Sequence, residues 1–494
     1  MPSTRVIRVR TVHDGVASTT LRAGLADIAA EVGVSAEFPA EVEAAASAAA
    51  LAPRLPDLDR TDLPFLTIDP PGARDLDQAL HIERDTRGDG DGYVVHYAIA
   101  DVAAFVAPGD PVDLEAHRRG ETLYGADTKI PLHPPVLSEA AASLLPDQVR
   151  PALLWTIRVD ATGEGTDVHV ERALVRSRAQ LSYAQAQEML DTGSGDTELL
   201  ATLRLLQQVG ELRLAREAAR GGVDLPLPDQ EVDIEGDTWR LEFRDMLPVE
   251  RWNAQISLLT GFGAASLMVY ARVGILRTLP PADPHDIKRL HRTARGLGIE
   301  WPAEQLYPDF IRSLDPTRPS HAAMVVACTR LLRGSGYAAF DGELPSPSEH
   351  AALASEYAHV TAPLRRLVDR YAGEVCVALC ADQPVPDWVR AALPALPDEM
   401  RESGRRSGAY ERAVLDLVEA GTLAPHVGET FEGAVVEVDE KTGRRGQVTV
   451  QEPAVEAPVE VADGDDRTLP LGEHVRVRLT TADVAERRVR FTLA

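Results

Sequence analysis

The sequence predicts an α+β multidomain chain with a mixed α+β central domain, a helical N-terminal segment and an all-β C-terminal barrel. Three observations carry that reading. The 494 residues suit about three domains. Strand-like runs such as YVVHYAIAD come early in the central region and helix-like runs later. The last 70 residues break into short alternating segments bounded by Gly, Asp and Pro. Hydrophobic residues make up 44%, enough for real cores and too many for a disordered chain.

The first segment, residues 1–62, places Leu21, Leu25, Ile28, Ala29 and Val32 at helical spacing, with Gly33 and Ser35 as breakers. The run PAEVEAAASAAAL follows, with Pro39 in a favoured entry position. Two short helices around a glycine-containing turn suggest a helix-turn-helix or a small helical cap. LAPRLPDLDRTDLP, rich in Pro and Asp, reads as the linker. In the central domain, residues 63–424, Leu66–Asp69 and Tyr93–Asp101 read as strands. Helices are expected over about 178–220, 250–275, 319–334, 363–381 and 406–421. In residues 425–494, five alternating segments are most economically an OB-fold. In VRVRL and RVRF the arginines share one face, either solvated or binding, and the apolar residues the other.

Charge and cysteines narrow the classes. With 77 Asp and Glu against 51 Lys and Arg, the net charge is −26, which counts against a simple nucleic-acid binder but not against an acidic enzyme with a basic channel. Three cysteines (Cys328, Cys376, Cys380) cannot build a disulfide framework and suit a reducing, cytoplasmic compartment. The N-terminus has no signal-peptide core, and no run approaches the roughly 18 apolar residues of a membrane span, so no membrane partner is expected.

The chemistry-bearing stretch is Thr67-Ile68-Asp69-Pro70-Pro71-Gly72-Ala73-Arg74-Asp75-Leu76-Asp77-Gln78-Ala79-Leu80. Asp75 and Asp77, two apart, share a face if extended, and the Pro-Pro-Gly turn can bring Asp69 beside them. Three close carboxylates call for a cation. Hard oxygen donors suit Mg²⁺, as one or two ions, which can activate water against a phosphodiester. The alternative is a turn aspartate and an Arg74 ion pair with nothing bound. The spacing is not an EF-hand, and HExxH, P-loop, GxSxG and strand-borne GxGxxG patterns are absent. A second stretch, His350 to Tyr371, contains Thr361-Ala362-Pro363-Leu364-Arg365-Arg366. Pro363 reads as a first-turn proline, placing Arg365 and Arg366 at a helix N-terminus that would take a phosphate.

Together these stretches resemble the RNB catalytic domain of the RNase II and RNase R family. The family's TID-x-x-x-A-x-D-x-DD-A motif matches Thr67 to Ala79, and its IADV strand matches Ile99 to Val102. The tyrosine before I-P-M-L-P matches Tyr124 before Ile130–Pro134, and Y-x-H-x-T-S-P-I-R-R matches Tyr357 to Arg366. The final barrel resembles the S-one type of OB-fold that follows this domain. The resemblance implies a processive, Mg²⁺-dependent 3′→5′ exoribonuclease acting on single-stranded RNA and 3′ overhangs, releasing nucleoside 5′-monophosphates; the chain is expected to be a monomer. It implies metal-binding roles for Asp69, Asp75 and Asp77, with Asp77 indispensable, and a scissile-phosphate contact for Arg365, with Arg366 beside it. It further implies base stacking for Tyr124, a ribose contact for Tyr183 and terminal-nucleotide binding for Glu411. The chain departs from the pattern at Gln78, where the family has a fourth aspartate, at Ala254-Gln255, where it has a Glu-Glu pair, and at Leu225, where a second aromatic clamp is aligned. These departures motivate the other reading, an RNA-binding protein with an inactive domain. A short N-terminal segment in place of the family's cold-shock barrels implies a smaller RNA entrance and cleavage closer to a duplex.

Overall fold

The computed structural model describes residues 8–11, 19–87, 91–126, 128–227, 229–235 and 238–494. The central domain is organised on a closed five-stranded barrel formed by Phe65–Asp69, Gln78–Arg84, Tyr93–Ala100, Val149–Val159 and Gly165–Ser182. Tyr93–Ala100 (YVVHYAIA), paired antiparallel on both sides, is buried along its whole length, which matches its mostly apolar composition. The barrel closes where Phe65–Asp69 pairs parallel to Gly165–Ser182, with Asp69 opposite Ser182. This pairing corrects the helix expected from residue 178: the strand runs to Ser182, and the helix begins at Tyr183. Ser182 caps that helix through a reciprocal box with Gln185.

Helices Thr197–Arg220, Pro248–Ala271 and Leu367–Cys380 join the core around the barrel through Leu203, Leu206, Val209, Ile256, Leu259, Val368 and Val375. Pro248–Ala271 is long and apolar enough to cross a bilayer, contrary to the expectation that no run comes close. Its residues Val249, Trp252, Ile256, Leu259 and Met268 are instead buried in this core. Gly261 on that helix lies against Tyr357: a Cβ there would stand 2.1 Å from Tyr357 Cε2 and 2.6 Å from the Ala358 carbonyl oxygen. Gly261→Ala, ordinarily helix-favouring, is therefore expected to destabilise by about 1–3 kcal/mol. A thermal melt checks this, and an unchanged or higher midpoint would refute the packing argument.

The terminal domain is a second closed barrel of Thr430–Val438, Arg445–Val450, Val455–Glu460, His474–Asp483 and Arg488–Leu493, in spatial order first, second, third, fifth, fourth. Val477, Leu479, Val489 and Phe491 fill it, and Arg476, Arg478, Arg488 and Arg490 are exposed, as the alternation predicts. The 28-residue helix Leu396–Leu423 connects both bodies. Leu396 and Met400 belong to the central core, and Val414 to Leu423 to the core shared with the terminal barrel.

The two N-terminal helices, Thr19–Val32 and Ala40–Leu51, do not form a helix-turn-helix unit with a core of its own. Leu21, Leu25 and Ile28 pack with Leu417 and Val418 in the terminal-barrel core. Val42 and Ala46 pack with Phe65 and Val112 on the central domain. Each helix is thus covered by a different neighbour.

Candidate active site

The expected aspartates come together at the end of the barrel. Asp69 ends its strand, and its Oδ2 is buried without a hydrogen-bond partner. Burial, opposed by the Thr67 hydroxyl and Arg365, pushes its carboxyl up to about 7. Asp77 is 5% exposed. Its Oδ1 accepts the Leu364 N–H at 2.8 Å, and its Oδ2 lies 3.4 Å from Arg365 Nε. Burial outweighs Arg365 and the Leu364 N–H and carries this carboxyl up to about 8. Both carboxyls interact with Arg365 and Asp75, and because burial opposes their ionisation a bound cation would favour the charged forms.

The segment carrying Arg365 is a turn, not the first turn of a helix. The helix begins at Leu367, with Arg366 in extended geometry before it. Tertiary hydrogen bonds fix residues 361–366. The Gln78 amide donates to the Thr361 carbonyl at 2.7 Å, and the Ala362 N–H to Asp369 Oδ1 at 2.7 Å. The Leu364 N–H donates to Asp77, and the Thr122 N–H to the Arg365 carbonyl at 2.9 Å. Arg365 is consequently held on Asp77 with 43% of its side chain exposed, in reach of a ligand. Arg366, expected to bind substrate, instead forms a bidentate pair with buried Asp369, Nε and Nη2 donating at 2.9 and 2.8 Å. That pair ties Arg366 to the Asp369 carboxylate that also accepts the Ala362 N–H of the turn.

Asp75, expected on the metal, carries an ammonium: Lys129 Nζ lies 2.8 Å from Asp75 Oδ1 and 2.8 Å from Glu139 Oε1. Lys129 is directly opposite Tyr124 in the short hairpin Leu123–Tyr124 with Lys129–Ile130, so both side chains share one face. Tyr124 is half-buried, and burial pushes its phenol up to about 12, with Arg365, Asp75 and Asp77 among the charges that act on it. Tyr183 sits one residue beyond Ser182, the partner of Asp69, at the same barrel end.

Glu411 lies on Leu396–Leu423, and its Oε1 accepts from the Ser407 hydroxyl at 2.9 Å. Its Oε2 is buried without a hydrogen-bond partner, as is Glu121 Oε1. Burial, aided by Glu121 and opposed by Ser407, pushes Glu411 up to about 7 from 4.5. A carboxyl raised on folding stabilises the protein below its unfolded value and loses that contribution as pH rises towards its folded value. Glu411→Gln should therefore melt as wild type does near pH 4.5 and above it at pH 8, by an amount on the order of 2 kcal/mol. A midpoint difference independent of pH would contradict this assignment.

The departures have structural explanations. The Gln78 Nε2 donation to Thr361 is one that a carboxylate could not make, and its Oε1 accepts from Tyr97 and Ser257. Gln255 is buried between helices, where it donates to Glu217 at 2.6 Å. Leu225 is half-buried against the cluster of Leu290, Phe310 and Met324.

A divalent cation fits part of this set. The unpartnered Asp69 Oδ2 and the Asp77 carboxylate supply two hard oxygen donors, and Mg²⁺ is commonly held by one or two carboxylates with water and substrate phosphate. Among the described residues, no group of three or more His, Cys, Asp or Glu has metal-holding geometry.

Comparison with known proteins decides the family. Residues 58–379 match the RNB domain, and residues 429–494 match the RNase II-type exonuclease C-terminal S1 domain. The chain belongs to the RNB-domain family. It is 25% identical over 393 residues to the exosome complex exonuclease dis3 of Schizosaccharomyces pombe, covering 77% of this chain and 40% of that protein. It is 26% identical over 477 residues to ribonuclease R of Escherichia coli, covering 88% of this chain and 57% of that protein. The chain thus spans about two fifths to three fifths of the length of these relatives. Its fold is similar to Mycoplasma genitalium RNase R in complex with ribose-methylated single-stranded RNA, with TM-score 0.84, 20% identity and coverage of 96% of this chain and 78% of that one.

Within the RNB domain, the sequence reading missed Lys129 and Glu121. Lys129 immediately precedes the Ile130–Pro134 run, but its place beside Asp75 depends on the hairpin that pairs it with Tyr124. Glu121 is joined to Arg366 by an isolated bridge across 245 positions, for which the sequence carries no local signal.

Proposed function

We propose that this chain is a divalent-metal-dependent, processive 3′→5′ exoribonuclease of single-stranded RNA and 3′ overhangs, working as a cytoplasmic monomer and releasing nucleoside 5′-monophosphates. The observation that carries the reading is the Asp77–Arg365 constellation. A guanidinium is fixed at the barrel end by four backbone-directed hydrogen bonds to its own turn, beside two carboxyls whose charge calls for a cation. Such preorganised charge suits the phosphate of a phosphodiester, which the half-exposed Arg365 can contact as charge develops on its oxygens. Asp69 and Asp77 would hold a divalent ion such as Mg²⁺, which would supply an activated water and favour departure of the 3′-oxygen. Water attacks phosphorus, the bond to that oxygen breaks, and the oxygen leaves with a proton.

Other residues position the RNA. Tyr124 offers a ring for stacking, worth roughly 1–3 kcal/mol per base regardless of sequence. Tyr183, beside the Asp69 partner Ser182, is assigned the ribose contact that would separate RNA from DNA. Glu411 can accept a hydrogen bond from the terminal nucleotide. The exposed arginines of the terminal barrel supply a cationic face in a chain of net charge −26. The relatives named as exonucleases and ribonucleases, and the neighbour solved with single-stranded RNA, support RNA as the substrate.

The test uses 5′-labelled single-stranded RNA and DNA of one sequence, with and without Mg²⁺. The expected result is an RNA ladder shortening from the 3′ end to a short limit product only with Mg²⁺, with the DNA intact. Binding without shortening would replace this reading with that of an RNA-binding protein.

A further inference from the structure

Three converging carboxylates require positive charge, and part of it is built into the chain. Lys129 places its ammonium 2.8 Å from Asp75 and 2.8 Å from Glu139, with only 26% of its side chain exposed. Both contacts are charge-assisted hydrogen bonds of ordinary length, and two acidic partners hold the side chain in one geometry. Asp75 acts on Asp69, Asp77 and Tyr124 electrostatically, and Lys129 acts on Tyr124, so this ammonium lies on the flank of the same cluster. Asp75 is thus neutralised by the Lys129 ammonium and Asp77 faces the Arg365 guanidinium, while the buried Asp69 Oδ2 has no hydrogen-bond partner.

We propose that Lys129 is a resident cation of the active site: it neutralises Asp75 in place of a second divalent ion, so that the site holds one divalent ion, on Asp69 and Asp77. The hairpin that carries Lys129 also carries Tyr124, and the two side chains share a face. A base stacked on Tyr124 therefore brings its phosphate towards this ammonium. Lys129 is a positioning residue that fixes Asp75 and sets the charge of the pocket. A lysine is a compact point charge on a tether and delivers that charge without a free-ion equilibrium. The proposal rests on the exoribonuclease reading for its biological meaning, but its test does not.

The experiment titrates Mn²⁺ into the intact RNA-free protein and counts bound ions by electron paramagnetic resonance. The expected counts are one per chain for the wild type, one for Lys129→Arg and two for Lys129→Gln. Asp75→Asn should keep one ion with affinity within about threefold, because Asp75 is not a ligand. In RNA shortening, Lys129→Gln should change the Mg²⁺ dependence from hyperbolic to sigmoidal, with half-saturation raised about tenfold. Zero or two ions in the wild type overturns the proposal, as does a count of one in folded Lys129→Gln. Should Lys129→Gln not fold, loss of the ion in Asp75→Asn overturns it and retention supports it. A wild type that binds one ion but shortens no RNA removes the exoribonuclease reading and leaves the single-ion assignment standing.

Discussion

Asp77→Asn abolishes RNA shortening while leaving the protein folded: the rate is expected to fall at least roughly 10³-fold. The asymmetry comes from what asparagine preserves. Its side-chain oxygen can still accept the Leu364 N–H, so the 361–366 turn keeps that anchor. What it removes is the charge that faces Arg365 at 3.4 Å and one of two donors to a divalent ion. Asp77 is 5% exposed, and its carboxyl rises to about 8 from 3.8 on folding, so keeping it ionised is costly without a cation. In chelator, the variant should therefore melt above the wild type at pH 8, where part of that cost is incurred. The two should converge as the pH falls below 3.8, where the acid is protonated in both states. Mg²⁺ should raise the melting temperature of the wild type more than that of the variant. Measured together, single-turnover rates and melts with and without Mg²⁺ decide the matter. A variant that retains activity within tenfold would show that Asp77 serves the turn alone.

The same residues show what the sequence could and could not reveal. The barrel strands were legible because Tyr93–Ala100 and the terminal VRVRL and RVRF segments carry period-two or fully apolar patterns set by local chemistry. The spacing around Pro70-Pro71-Gly72 suggested that Asp69, Asp75 and Asp77 would cluster; Asp69 and Asp77 both lie within reach of Arg365 and Asp75, but the ammonium on Asp75 was not legible. The 363–366 turn was not legible: a proline followed by Leu-Arg-Arg reads as a helix start. Here the competing hydrogen bonds come from Asp77 and Gln78, more than 280 positions away, and from buried Asp369. Residues 178–182 were misread for a similar reason, since pairing with Phe65–Asp69 extends a strand into a helical pattern. The N-terminal helices show the reverse case. Apolar spacing marked the first as a helix, and alanine richness after Pro39 marked the second, but neither pattern encodes which core covers it, and the two went to different cores. Residue type also misled at Gln78, which reads as a weakened ligand by position and proves to be a donor that no aspartate could replace.

Adjacent arginines on one turn should fail in opposite ways. Arg366→Ala leaves Asp369, 1% exposed, with the Ala362 N–H but without its bidentate partner. Removing one partner of a buried pair costs about 3–5 kcal/mol, so the variant should melt far below the wild type and lose activity only through lost structure. Lysine should rescue it poorly, because an ammonium cannot donate two parallel bonds to one carboxylate. Arg365→Ala removes a side chain 43% exposed, whose turn is held by backbone groups and by Asp77 through Leu364. Its melting temperature should stay close to that of the wild type while the chemical step slows by roughly 10²–10³-fold, the scale of losing one preorganised charge at a reacting centre. Urea unfolding and single-turnover rates, measured on both variants at a temperature where both are folded, separate the two roles. An Arg366→Ala protein as stable as the wild type would mean that Asp369 is neutralised by something other than its neighbour. An Arg365→Ala protein that is destabilised but fully active per folded molecule would remove Arg365 from the phosphate, and with it the observation on which the proposed activity chiefly rests.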